Sequence, residues 1–118
     1  EVESKLPAGD ARRMDEGQRL LRHCPDNIPL VACDPRGRDT SSEAMAKLLA
    51  RWRDTGMASA CFAIGGADGH SQELLERAEA RIAFGSATWP HMLFRAMLAE
   101  QLYRATMILA GHPYHRGN

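Results

Sequence analysis

At 118 residues, with 44% hydrophobic and 25% charged side chains, the chain has material for one core and is too short for two, and its composition is neither disordered nor fibrous. Fifteen Lys and Arg balance fifteen Asp and Glu, and that zero net charge argues against a generic polyanion binder. The longest apolar stretch, Met92 to Leu109, is interrupted by Arg95, Glu100 and Arg104, which excludes an easy bilayer span.

The opening Glu1 to Leu6 alternates charged and apolar residues before Pro7-Ala8-Gly9, the pattern of a strand entering a turn, and its abrupt start suggests a piece of a longer product. Met14, Leu20 and Leu21 then mark a weakly patterned helix from Met14 to His23, broken by Pro25-Asp26-Asn27. Ile28 to Cys33 is an apolar run of strand length, closed by the turn residues Asp34-Pro35-Arg36-Gly37. Thr40-Ser41-Ser42-Glu43 matches a capping box, in which the Thr hydroxyl and Glu carboxylate satisfy each other's backbone donors. Behind it Met45, Leu48, Leu49 and Trp52 share one helical face, and Gly56 supplies a left-handed stop.

Ser59 to Ile64 is a second apolar strand, followed by the glycine turn Gly65 to His70 and a helix that Ser71 caps. A short strand, Arg81 to Phe84, leads into Gly85-Ser86-Ala87-Thr88-Trp89-Pro90, and the longest helix runs from His91 to Leu109 before a tail, Gly111 to Asn118. Strands alternating with helices predict an α/β fold with a mainly parallel sheet, because parallel neighbours need helical crossovers. The last helix carries apolar residues almost all round, so it needs two walls: a second subunit supplies the other one, or the helix is central to its own core.

Cys24, Cys33 and Cys61 are odd in number and far apart, and no basic-then-apolar leader precedes them, which together point to a reducing cytoplasm. Cys33 and Cys61 lie in apolar runs and read as packing groups, and no metal site is proposed from them. From Arg81 onward the basic residues Arg81, Arg95, Arg104 and Arg116 face a single acid, Glu100: an end suited to RNA, or merely a solvated face. The loops Asp34–Arg38, Gly65–His70 and Gly85–Pro90 all follow strand ends, where ligands bind in open α/β sheets, although a glycine turn alone is structural in most proteins. The terminal His112-Pro113-Tyr114-His115-Arg116 is dense in groups that move protons, stack on bases and pair with phosphate; as a His-x-x-His metal pair it lacks a carboxylate or thiol beside it, and as bare composition it reads as a frayed terminus.

Together IGGADG at 64–69, TWPHMLFRAMLAEQLYRA at 88–105 and HPYHR at 112–116 resemble the RlmH family of the SPOUT superfamily, over a range that begins near Glu1. The resemblance implies one SPOUT domain over 1–118, lacking the family's first strand and helix, with a mainly parallel sheet flanked by helices, a C-terminal deep trefoil knot and a homodimer packed through it. It implies an S-adenosylmethionine-dependent methyltransferase acting on N3 of a pseudouridine in 23S rRNA of the assembled ribosome, with neither metal nor membrane. The cofactor is expected at Cys33, Gly66, Gly85, Ser86, Ala87, Thr88, Trp89 and Pro90; catalysis at Tyr114, His115 and Arg116; RNA contact at Arg95 and His112. Cys33, Trp89 and Met92 depart from the family's usual Leu, smaller apolar residue and Pro. Two other functions compete: an RNA-binding remnant that has lost catalysis with its front, and a SPOUT enzyme for tRNA, which the absence of an appended RNA-binding domain and the HPYHR ending disfavour.

Overall fold

A computed structural model describes residues 9–57, 59–65, 69–85 and 89–111. The strand expected at Glu1 to Leu6 lies outside them.

Helix α1 (Asp10–Arg22) starts four residues before the expected Met14, because Gly9 at φ 108° turns the chain in and Asp10 places a carboxylate at the positive end of the helix. β1 (Leu30–Asp39) follows, then α2 (Ser42–Asp54), β2 (Cys61–Ile64), α3 (Gln72–Arg77), β3 (Ala80–Ala83) and α4 (His91–Leu109). The α4 boundaries are those its sequence pattern predicts. The N-cap of α2 is Ser41 rather than Thr40: the Ser41 hydroxyl accepts the Ala44 N–H at 3.1 Å, while the Thr40 hydroxyl donates to the Arg38 carbonyl at 2.7 Å. Gly56 does end α2, at φ 82°, with the Met57 N–H reaching back to the Trp52 carbonyl at 2.8 Å. Ser71 caps α3 as expected, accepting the Leu74 N–H at 3.2 Å.

The three strands are parallel in the order β2-β1-β3, as the alternation of strands and helices requires. Side chains of the central strand alternate between two cores. Val31 and Cys33 pack with Met45 and Trp52 of α2 and Phe94 and Leu98 of α4. Leu30 and Ala32 pack on the other face with Cys24 and with Leu74 and Leu75 of α3, and Leu20 and Leu21 of α1 close that side. Two polar contacts lock the first layer: Ser42 Oγ donates to Gln101 Oε1 at 2.5 Å, joining α2 to α4, and Trp52 Nε1 donates to Glu79 Oε2 at 3.1 Å.

β1 does not stop at the turn residues after Cys33. Ile82 stands opposite Cys33 and again opposite Arg38, so residues 34–37 loop out of the sheet and the strand re-enters beside β3 through Arg38 and Asp39. Asp34 Oδ1 organises the excursion by accepting the Arg36 N–H at 2.9 Å. Gly37 permits the re-entry, since a Cβ there would stand 2.7 Å from the Arg81 carbonyl carbon and 2.8 Å from the Ile82 nitrogen. Both obstacles are backbone, so neither can rotate aside. Gly37→Ala is therefore expected to cost roughly 1–3 kcal/mol, the usual penalty for forcing atoms into a filled space, read as a lower urea midpoint; an unchanged midpoint would show the crossing to be open.

Candidate functional site

After β1 the chain crosses to the α2 face of the sheet, and after β2 it crosses to the α3 face. A crevice opens outside the carboxyl ends of two strands whose connections diverge in this way, so the β1–β2 seam is where an α/β sheet of this order receives a ligand. His70 occupies that seam. Its Nε2 lies 3.1 Å from the Cys33 carbonyl of β1 and 3.1 Å from the Ala63 carbonyl of β2. Both partners only accept, so Nε2 carries a proton in this geometry. The ring packs on Gly65, where a Cβ would come within 3.2 Å of Cε1. Burial pushes the His70 pKa below its ordinary value; the Cys33 and Ala63 carbonyls and the Asp34 and Glu16 carboxylates pull the other way and are outweighed.

Asp34 lies beside it at the root of the excursion, 6% exposed. Burial raises its pKa, but the backbone N–H and guanidinium of Arg36, aided by His70, prevail and hold the carboxyl below its ordinary range. Cys33 enters the site through its carbonyl alone. Its thiol is turned into the α2–α4 core, where burial pushes it up to about 12, and it is inert there as the sequence suggests. Burial likewise lifts the Cys61 thiol to about 11.

The loop after β3 is pinned at both ends. The Gly85 N–H donates to Asp39 Oδ1 at 2.8 Å, and the Trp89 indole N–H donates to the Phe84 carbonyl at 3.0 Å. Gly85 sits at φ 81° with nothing within 4 Å of where a side chain would begin. The Trp89 ring remains 37% exposed. Pro90 starts α4, its carbonyl accepting the Phe94 N–H at 2.9 Å. A cavity of about 610 Å³ beside this loop is bounded by Asp39, Ser42, Phe84, Met97 and Gln101. Among the expected site residues, β1 and the β3–α4 loop thus bring Cys33, Gly85, Trp89 and Pro90 to one end of the sheet. Arg95 is exposed on α4, with Nη2 3.7 Å from Met92 Sδ, and Glu100 pairs with Arg104 at 2.9 Å one turn apart. Gly66, Ser86, Ala87, Thr88, His112, Tyr114, His115 and Arg116 lie outside the described residues.

Asp39 and His70 were not singled out by the sequence, since neither sits in a pattern with a chemical signature. The available signal for His70 was its place between a glycine turn and the Ser71 helix cap. Among the described residues no three His, Cys, Asp or Glu side chains are grouped to hold a metal ion, and no helix is long and apolar enough to cross a membrane.

Residues 2–115 match the family model described as a predicted SPOUT methyltransferase. The chain is 52% identical over 116 residues to a protein of Nitrobacter winogradskyi named ribosomal RNA large subunit methyltransferase H, spanning 98% of this chain and 72% of that relative. The protein of the same name from Paramagnetospirillum magneticum is 51% identical over 117 residues, 98% of this chain and 77% of the relative. That of Novosphingobium aromaticivorans is 64% identical over 86 residues, 73% of this chain and 61% of the relative.

The depressed His70 pKa sets a pH dependence. Below the unfolded value of about 6.5 the unfolded chain binds a proton that the folded seam resists, so stability is fully present above that pH and falls as the pH drops, by up to about 1.4 kcal/mol per unit. His70→Gln, which keeps an N–H donor and cannot titrate, is expected to flatten the urea midpoint between pH 7.5 and 5.5. Parallel losses in the two proteins would remove His70 as the source.

Proposed function

The chain belongs to the SPOUT methyltransferase family, and on that footing we propose that it transfers a methyl group from S-adenosylmethionine to N3 of a pseudouridine in 23S rRNA of the assembled ribosome, in the cytoplasm. One observation carries the reading: relatives named as large-subunit rRNA methyltransferases match 98% of the chain at about half identity. The geometry supports it, because a loop anchored by Asp39 and Trp89 at the carboxyl end of the sheet presents the open backbone of Gly85 beside an exposed aromatic ring. A ligand recognised mainly through backbone groups fits such a surface.

In this reading the cofactor is held by backbone at Cys33, Gly66, Gly85, Ser86, Ala87 and Thr88 and bounded by Trp89 and Pro90, within a C-terminal trefoil knot. When bound, it supplies an electrophilic methyl on a sulfonium. The chain's own task is to present N3 in line and to remove its proton, which pseudouridine gives up reluctantly at neutral pH. His115 accepts that proton, since imidazole is the side chain whose proton chemistry suits neutral pH. Arg116 holds a phosphate or steadies the developing anion, and Tyr114 stacks on the base. Arg95 and His112 contact the flanking RNA.

The fold also supports a homodimer. α4 gives Phe94 and Leu98 to the internal core, where Phe94 stacks on Phe84 at 5.0 Å. Met92 at 66% and Leu93 at 46% exposure are apolar residues of α4 that an isologous partner would cover.

A chain ending at Gly111 is expected to fold and bind S-adenosylmethionine in calorimetry yet leave ribosomes unmethylated. His115→Ala and Arg116→Ala should each cost on the order of 10²-fold in rate, the usual scale of a lost general base. Methylation at the undiminished rate after removal of the tail would refute its catalytic role. Leu93→Asp should convert a dimer into a monomer in sedimentation at micromolar concentration, and a dimer that survives it would place the contact elsewhere.

A further inference from the structure

On the side of the sheet away from the His70 seam, α2 and β3 enclose a groove of about 490 Å³. Arg38 of β1 and Lys47 and Arg51 of α2 line it, over a floor that includes Leu48 and Ile82; Arg81 of β3 borders it too, but its guanidinium donates to the Leu75 carbonyl on the α3 side of the sheet at 3.4 Å. All four cations are exposed. Glu79 is the one carboxylate in the lining, and it is engaged by the Trp52 indole at 3.1 Å. Among the described residues, no carboxylate forms an ion pair with Arg38, Lys47, Arg51 or Arg81. Three positive charges, those of Arg38, Lys47 and Arg51, thus face a single carboxylate in one concavity of a chain whose net charge is zero. Placing like charges together costs free energy in the isolated protein, most of all at low salt, and a polyanion lying along the groove would remove that cost.

We propose that this groove binds the sugar–phosphate backbone of the RNA substrate. The inference rests on the rRNA reading above and adds a named contact surface to it. Two of the three cations that face the groove are Arg, whose planar guanidinium matches phosphate oxygens two at a time and is readily held at a surface. Lys47 and Arg51 stand one helical turn apart on α2, with Ala44 and Leu48 completing a stripe along the groove. The groove also leads toward the proposed chemistry: Arg38 directly precedes Asp39, whose carboxylate anchors Gly85. A strand of RNA held here runs toward the loop at 85–90. The contacts involve charge and backbone, so they supply affinity and register, not base identity.

Lys47 and Arg51 are exposed on a helix and distant from the His70 seam, which makes them suitable to change. The test measures binding of the full chain and its Lys47→Glu/Arg51→Glu variant to large ribosomal subunits and to protein-free 23S rRNA across a salt series, with methyl transfer to ribosomes and S-adenosylmethionine calorimetry alongside. The variant should bind both probes at least about tenfold more weakly at low salt, and its slope of log affinity against log salt should be shallower by about two. Its affinity for S-adenosylmethionine should be unchanged, and the charge-conserving Lys47→Arg/Arg51→Lys variant should bind RNA as the wild type does. Equal affinity and slope for wild type and charge-reversed variant, with wild-type methylation intact, would overturn the groove and leave the rRNA reading standing. Weakened binding to subunits alone, with protein-free rRNA unaffected, would assign the groove to an acidic protein face and also overturn the proposal. A wild-type chain that neither binds nor methylates either probe would overturn the rRNA reading and the groove with it.

Discussion

The arrangement depends on β1 being hydrogen-bonded on both edges and packed on both faces. Leu30, Val31 and Ala32 are at most 1% exposed; Leu30 to Cys33 pair with β2 on one side, and Val31, Ala32 and Cys33 pair with β3 on the other. A strand so constrained cannot slip, because a shift of one residue would carry Val31 and Cys33 out of one core and into the other. Everything near the proposed chemistry hangs from its carboxyl half: the Cys33 carbonyl that His70 holds, the Asp34 turn, the Gly37 crossing and the Asp39 carboxylate that anchors the next loop. The rigidity of the middle strand is what gives Asp34, His70 and Gly85, from different parts of the chain, a common frame.

His70 and Asp39 solve the same problem from opposite sides of that strand. At the end of a parallel sheet, carbonyls and N–H groups run out of ladder partners while still sheltered from water, and each orphan is costly. His70 draws two carbonyls together across β1 and β2, and Asp39 takes the Gly85 N–H after β3. Both use a side chain to finish hydrogen bonding that the backbone cannot. The cost is a sheltered imidazole that resists protonation, which ties the integrity of the seam to pH.

Much of the fold was legible because its signals are local. The ends of α4, the Gly56 stop and the Ser71 cap are set by residues within a turn of one another, and each was readable as written. The extension of β1 was not. Asp34-Pro35-Arg36-Gly37 carries turn chemistry, and a turn is indeed made, but re-entry depends on β3, whose backbone reaches Gly37 from more than forty positions along the chain. The N-cap shifted from Thr40 to Ser41 for a related reason: Thr40 is held through its N–H by the Ala83 carbonyl at 2.9 Å, a partner that local spacing cannot reveal. In the candidate site the glycine at 85 was legible, since backbone conformation leaves a compositional mark. The anchors that position it were not, because an Asp or His acting on a distant main-chain group looks like any other polar residue.

Charge follows the same logic. Counting along the chain places the basic excess after Arg81, where Arg104 turns out to be paired with Glu100 at 2.9 Å and Arg95 lies against Met92. The fold builds its concentration of positive charge elsewhere, from Arg38, Lys47 and Arg51, contributed by two different elements. On α2 the disguise is compounded, because Leu48 belongs at once to the apolar face that signals a helix and to the floor of the groove beside Lys47. A net charge of zero therefore excludes only a long-range, chain-wide attraction to polyanions. It leaves room for a local field, which at physiological salt acts over roughly 8 Å and so is decided by neighbours in space. For an enzyme that must find one site among many phosphates, that division has a physical merit: a neutral chain limits capture by the wrong RNA, while in the proposed reading the three cations of one groove would hold a strand aligned with the loop that Asp39 anchors.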